Sequence, residues 1–302
     1  PEFKSDGVTI AADADGNGWS VAGQNQVAWN FAAAPGFFDI QTWTGTDGSI
    51  DRTIDHSLES VPGFVICKSY SETGTQWYIY HKELGDAGRL TFTDSAAADS
   101  PGSWKNVTDE TFGFGPNANL NAAGRDHVAY LFADNPEGGI KCGIVNGQEE
   151  FTLPFKLGWI MFTSSTQTSS WRVNDSARGI PNYGVMTDYL EPDTTEPDNS
   201  SAYCGLVNTD GVNYTYKIDW VLQDLTYVAI AEQNPVEVVS VDAASNQMAV
   251  TGGNWSAGET VSLSTLEASA TDVVAVSGNS LYLDGVAGEW RPGPRAKGAQ
   301  IS

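Results

Sequence analysis

Basic residues are scarce in this chain. Fifteen Lys and Arg stand against 38 Asp and Glu, for a formal net charge of −23 at pH 7. A surface of that sign repels phosphate backbones and anionic headgroups, so neither a nucleic-acid partner nor a lipid surface is expected. Cysteine is scarcer still. Cys67, Cys142 and Cys204 make an odd number, and none sits in a C-x-x-C pair. That argues against a disulfide framework and against a zinc knuckle. No apolar run approaches the roughly 18 residues of a membrane-spanning helix. No stretch of a dozen residues carries helical periodicity, and Ser95–Asp99 is one helical turn at most. The three histidines, His56, His81 and His127, lie beside no Ser or Cys in a nucleophile frame, and no G-x-S-x-G occurs.

What remains is a chain of 302 residues, 40% hydrophobic and 11% aromatic, with 32 Gly and 13 Pro spread along it. That length suits two or three domains. Many turns between short apolar stretches point to an all-β fold.

One phrase recurs. Gln26–Ala32 reads QVAWNFA, His127–Ala133 reads HVAYLFA and Tyr227–Glu232 reads YVAIAE. Val27 to Val128 is 101 residues and Val128 to Val228 is 100, a period that suits one small domain per copy. The phrase is expected to be a closing strand each time. In the first full copy, Phe37–Thr44, Phe64–Lys68, Gln76–His81 and Leu90–Thr93 read as strands, with a turn at Val61-Pro62-Gly63. The second copy answers with Ile140–Val145, Trp159–Thr163 and Trp171–Asp175, so that Trp77 corresponds to Trp171 and Gly85 to Gly179. Beyond Pro235 a smaller repeat appears. Val239–Gly258 and Val274–Gly293 share a strand, an Asn-containing turn, a second strand and x-W-x-x-G, the pattern of paired β-hairpins.

The expected organisation is tandem β-sandwich domains followed by a small β-hairpin-repeat domain. Residues 1–34 are the end of a preceding repeat, 35–137 the first sandwich, 138–234 the second, and 235–302 the hairpin repeats with a tail. On this reading the chain is a segment of something longer.

Three groups bear on chemistry. Glu191, Asp193 and Glu196 spell E-x-D-x-x-E, a spacing that sets two carboxylates on one strand face in sandwich glycosidases. Pro192 and Pro197 interrupt it, so an acidic loop is the better reading. Asp13, Asp15 and Asn17 resemble the front of a Ca²⁺ loop, but its twelfth position is Gln24. The next copy has Asn117, Asn119 and Asn121 there, which favours Asx turns. Ca²⁺ is the one cofactor left open; no catalytic residue and no metal site is assigned. Of ten tryptophans, Trp29, Trp43, Trp77 and Trp171 lie inside strand patterns and read as core. Trp19, Trp104, Trp255 and Trp290 lie nearer turns and are the candidates for glycan contact.

APGFFDIQTWTG, TIDHSL, VPGFVICK, WYIYHKELG and HVAYLFA, in that order, resemble a repeated domain of marine tailed-phage virion proteins, cyanophages above all. The likeness covers most of Asp6–Gly293. Glu59 departs from it, and the second copy lacks most of the His-containing segment. The resemblance implies a concanavalin- or laminin-G-like (jelly-roll) sandwich used in tail or surface fibres. It further implies a non-enzymatic part on the virion surface that forms a homo-oligomer, trimeric as fibres commonly are, with other virion proteins and a host glycan as partners. A capsid decoration protein, a carbohydrate-binding lectin module and a sandwich glycosidase stand as rivals.

Overall fold

The computed structural model describes residues 27–92, 103–181, 183–194, 204–209 and 214–232, together with the backbone of short strands on either side of that stretch. It divides into two compact units, Asn30–Glu232 and a second made of Pro1–Trp29 with Gln233–Ser302. The protein is all-β, its sheets antiparallel, with one 3₁₀ turn over Lys82–Ala87 and one short helix, α1 (Ala118–Asn121), among the described residues.

In the split unit, β1 (Glu2–Lys4) pairs with β2 (Gly7–Thr9). Among the described residues, the Asn30–Glu232 unit holds sixteen strands. The first eight are β3 (Phe38–Thr44), β4 (Arg52–Asp55), β5 (Pro62–Ser69), β6 (Tyr78–His81), β7 (Leu90–Thr91), β8 (Trp104–Lys105), β9 (Thr111–Phe114) and β10 (Asp126–Ala133). They form a five-stranded sheet ordered β3-β10-β5-β6-β7 and a three-stranded sheet ordered β4-β9-β8. The next eight are β11 (Ile140–Val145), β12 (Glu150–Leu153), β13 (Leu157–Ser164), β14 (Arg172–Asp175), β15 (Gly184–Met186), β16 (Gly205–Thr209), β17 (Tyr214–Ile218) and β18 (Leu225–Ala231). Their sheets run β11-β18-β13-β14 and β12-β17-β16-β15. The second set follows the order of the first except at one strand: β7 extends the inner sheet beside β6, whereas its counterpart β15 extends the outer sheet beside β16.

Cross-strand register gives the correspondence residue by residue. The row Phe38–Phe132–Phe64–His81 in the first set matches Ile140–Ile230–Trp159–Asp175 in the second. Trp77 and Trp171 then correspond, as expected. The closing strands do not align at Val128 and Val228. The offset is 230 − 132 = 98, which sets Val128 against Thr226. A two-residue slip leaves every side chain on its original face, so alternation alone could not detect it. Both sets carry one irregularity at the same place, between Phe132 and Ala133 and between Leu157 and Trp159. The extra residue is Gly63 in one and Gly158 in the other. A Cβ at Gly158 would run into the backbone of Glu232, and one at Gly63 would lie 2.7 Å from Cys142 Sγ.

Two kinds of strand make two kinds of layer. β13 and β18 are near-continuous apolar runs buried on both faces, and β5 is the same over Pro62–Val65. β4, β12 and β16 alternate or expose their ends. The long sheets are therefore inner layers and the others outer ones. Trp43 packs against Phe112 and Phe114 across the first set, with ring centroids 5.9 and 5.8 Å away. In the second set a core of Leu153, Phe162, Val207, Tyr216, Leu225 and Tyr227 joins the two four-stranded sheets. The opposite faces of the inner sheets meet each other. Trp171 lies 6.1 Å from Phe64 and 5.2 Å from Phe92, and its indole N–H donates to the carbonyl of Thr91 at 2.9 Å.

Two sequence expectations fail here. Residues 27–32 of the phrase QVAWNFA are not a strand. They run without ladder partners, and Phe31 instead sets its ring against Phe38, Phe132 and Trp159 at 5.4–5.8 Å. Pro62 and Gly63 are not a turn but the start of β5.

In the split unit, β19 (Glu237–Asp242), β20 (Gln247–Thr251), β22 (Asp272–Ser277) and β23 (Ser280–Asp284) form one antiparallel sheet, ordered β19-β20-β23-β22, while β21 (Val261–Leu263) pairs with β24 (Ala299–Ile301). The register shifts at Val239 in β19 and at Val274 in β22, the two positions the sequence repeat equates.

Candidate functional site

Of the four tryptophans nominated for glycan contact, Trp19, Trp255 and Trp290 lie outside the described residues. Trp104 is corrected. It is 1% exposed, edge-on to Tyr80 at 5.6 Å, because β8 turns its ring into the core of the first set. No ring face is left for a sugar.

The carboxylate run is engaged in structure. Glu191 pairs with Arg172 at 3.4 Å, and Asp193 accepts the backbone N–H of Trp171 at 3.1 Å. Burial pushes the Asp193 carboxyl above its ordinary value despite that bond. Glu196 lies outside the described residues, as do Asp13, Asp15, Asn17 and Gln24. In the corresponding segment, Asn117 caps α1 by accepting the Asn119 N–H at 2.9 Å. Asn121 accepts from Thr46 N–H and donates to the Asp47 carbonyl. Asn117 alone makes the local bond that the Asx reading expected; Asn121 ties a distant loop, and the Asn119 side chain donates to the Tyr78 hydroxyl at 2.6 Å. No group of three or more His, Cys, Asp or Glu placed to hold a metal occurs among the described residues.

The structure assembles a different surface. The outward face of the five-stranded sheet is closed at one end and open at the other. Along β3, Phe38 is 3% exposed and Ile40 is 45%. Phe132 and Phe64 are buried, whereas Tyr130, Val128, Ile66 and Lys68 are partly exposed. Register places Ile40–Tyr130–Ile66 in one row and Thr42–Val128–Lys68 in the next. Trp77 completes the patch, partly exposed, with its ring 6.4 Å from Tyr130 and 6.0 Å from Phe92. The Lys68 ammonium stands 4.8 Å over the Trp77 centroid. Such a face offers apolar ring surface, one cation and a threonine hydroxyl, the means to hold a ring-shaped polar ligand by its apolar side. Sequence reading put Trp77 in the core because its strand is aromatic throughout. The signal it missed is Lys68, which ends the face shared by Phe64 and Ile66 and marks where that face meets water.

The chain is thus an all-β protein with two like-ordered sheet pairs packed through their inner sheets, one of which keeps a half-open aromatic face. A family described as a domain of unknown function (DUF7483) matches residues 1–233, and the chain belongs to that family. The match ends one residue past the Asn30–Glu232 unit. No curated protein and no solved structure matches.

Proposed function

We propose that the chain is a non-enzymatic structural segment of a phage virion, part of a tail or surface fibre, built from tandem concanavalin-like (jelly-roll) sandwiches and a hairpin-repeat domain. The observation that carries this reading is the junction between the two sheet pairs. A flexible linker with no packed interface would leave two beads free to swing. Here Trp171, Phe64, Phe92, Phe31 and Trp159 are packed together between them. A stiff unit of this kind suits a projecting part that transmits force. The engagement of Glu191 and Asp193 in ion pair and backbone bonding supports a role without hydrolysis. Assembly as a homo-oligomer, trimeric in the manner of fibres, and contact with other virion proteins belong to the same proposal. An antibody against the Asn30–Glu232 unit should decorate fibres on intact particles in electron micrographs. Label distributed with the symmetry of the capsid shell would make the chain a decoration protein, and absence of label from virions would end the proposal.

A second reading, glycan contact, is favoured by the half-open face of Trp77, Tyr130 and Lys68. Glycan-array binding that survives Trp104→Phe and disappears in Trp77→Ala would support it; binding unaffected by Trp77→Ala would remove it.

A further inference from the structure

His81 stands at the junction of the two sheet pairs, 0% exposed, with both ring nitrogens engaged. Nε2 lies 3.0 Å from the backbone carbonyl of Tyr227, on β18 of the second set. Nδ1 lies 3.2 Å from the backbone N–H of Glu83, which it caps. The partners fix the tautomer. A carbonyl only accepts, so Nε2 carries the proton; an N–H only donates, so Nδ1 must be bare. A second proton has one place to go. It would land on Nδ1, facing a donor, and would put a cation into a site closed to water.

The charges around the ring do not provide for that cation. Lys82 and Glu83 share its 3₁₀ turn, Asp134 directly follows β10, and Lys141 and Cys142 come from β11. Asp134 is already bonded by Lys82, by Lys141 at 3.4 Å and by the Cys142 N–H at 2.9 Å. Glu83 lies 3.5 Å from Lys82. Phe64 of β5 brings only a ring, and Lys105 of β8 is turned to Asp51. Burial holds the imidazole below its ordinary value, against the bond to Tyr227 and the nearby Glu83.

We infer that His81 is a proton-operated latch between the two sheet pairs: neutral it ties the first to β18 of the second, and protonated it lets them part. In the open form the ring is in water and regains its ordinary value near 6.5. Closure is therefore fully favoured above that value and weakens as pH falls below it, toward the lower value of the closed form. Asp134 works in a separate window, since its bonds hold it below the ordinary carboxylate range despite burial.

The whole chain is titrated by NMR from pH 7.5 to 4.5, following the three histidine rings and the Trp171 indole N–H, which reports the closed junction through its bond to Thr91. Protection of that indole is expected to fall at least tenfold in the same step in which His81 takes its proton. His81→Gln, which can donate to Tyr227 but does not titrate, is expected to keep the indole protected at least one pH unit lower. His127→Gln is expected to leave the step in place. Protonation of His81 with the indole unchanged overturns the inference, and that outcome is readable in the wild type alone even if His81→Gln fails to fold. A step that His127→Gln abolishes and His81→Gln leaves untouched overturns it as well.

Discussion

The two sheet pairs of the Asn30–Glu232 unit share a strand order, β7 and β15 apart, and differ in what stands at matched positions. Where the backbone dictates the residue, the two agree. Gly63 and Gly158 occupy the same bulge, and Gly85 and Gly179 both have positive φ, at 59° and 77°. Where a side chain meets something outside its own pair, they differ. His81 reaches across to Tyr227, while its counterpart Asp175 pairs within its own loop with Arg178 at 2.5 Å. Trp171 is 3% exposed beneath the first pair, while its counterpart Trp77 is partly open. Conformation preserved the repeat and neighbours diversified it.

The largest effect should come from the glycines that look most alike. Gly179 is crowded: a Cβ there would fall inside the carbonyl oxygen of Thr187, whose N–H in turn donates to the Gly179 carbonyl at 2.9 Å. Gly85 has nothing within 4 Å of the same position. Gly179→Ala therefore combines backbone strain with a backbone clash and should cost about 4 kcal/mol or more. Gly85→Ala carries strain alone, about 1–3 kcal/mol. Urea unfolding of the two variants measures the difference. Equal losses would mean that the Gly179 loop moves aside and that the likeness of the loops is only conformational.

Trp171 and Trp77 give the next contrast. Removing a buried indole whose N–H is bonded should cost about 3–5 kcal/mol. Trp77→Ala, at a partly exposed position, should cost about 1 kcal/mol. Denaturant midpoints decide it. A Trp77→Ala loss as large as that of Trp171→Ala would mean that the face around Tyr130 and Lys68 is core, and would withdraw it as a candidate site.

What the sequence showed, and what it hid, follows the same division of layers. The inner strands were legible because they are long and mostly apolar: FVICK, WIMFT and HVAYLFA each fall on a strand. The outer sheets went unread. β4 is RTID and buries only Ile54, and β12 is EFTL and buries only Leu153. One buried residue in four does not establish a period. The helical pieces were missed for a different reason. Each is one or two turns begun by a capping side chain, His81 or Asn117, and carries no periodicity of its own. At the candidate site the residue types were visible and their exposure was not. Trp104 and Trp77 both sit in aromatic strands, and only packing tells that the first is enclosed and the second half open.

The subtlest contrast is at the far end of the inner sheets. In the first pair His127 stands opposite Trp43, with the rings stacked at 5.2 Å and 19°. In the second pair the same row sets Leu225 opposite Val145. His127 is 0% exposed, and neither ring nitrogen has a hydrogen-bond partner among the described residues. Burial, helped by Arg125, pushes its value down despite Asp126 beside it. The unfolded chain therefore binds a proton that the folded chain refuses, between the ordinary value near 6.5 and the lower folded one. Stability should be full above that window and fall as pH drops through it. His127→Leu makes the first pair chemically like the second. It should flatten the fall in urea midpoint between pH 7 and 5 and leave only the share that His81 contributes. A midpoint that falls as steeply in the variant would mean that the core of the first pair tolerates the imidazolium, and that the two pairs are alike in acid after all.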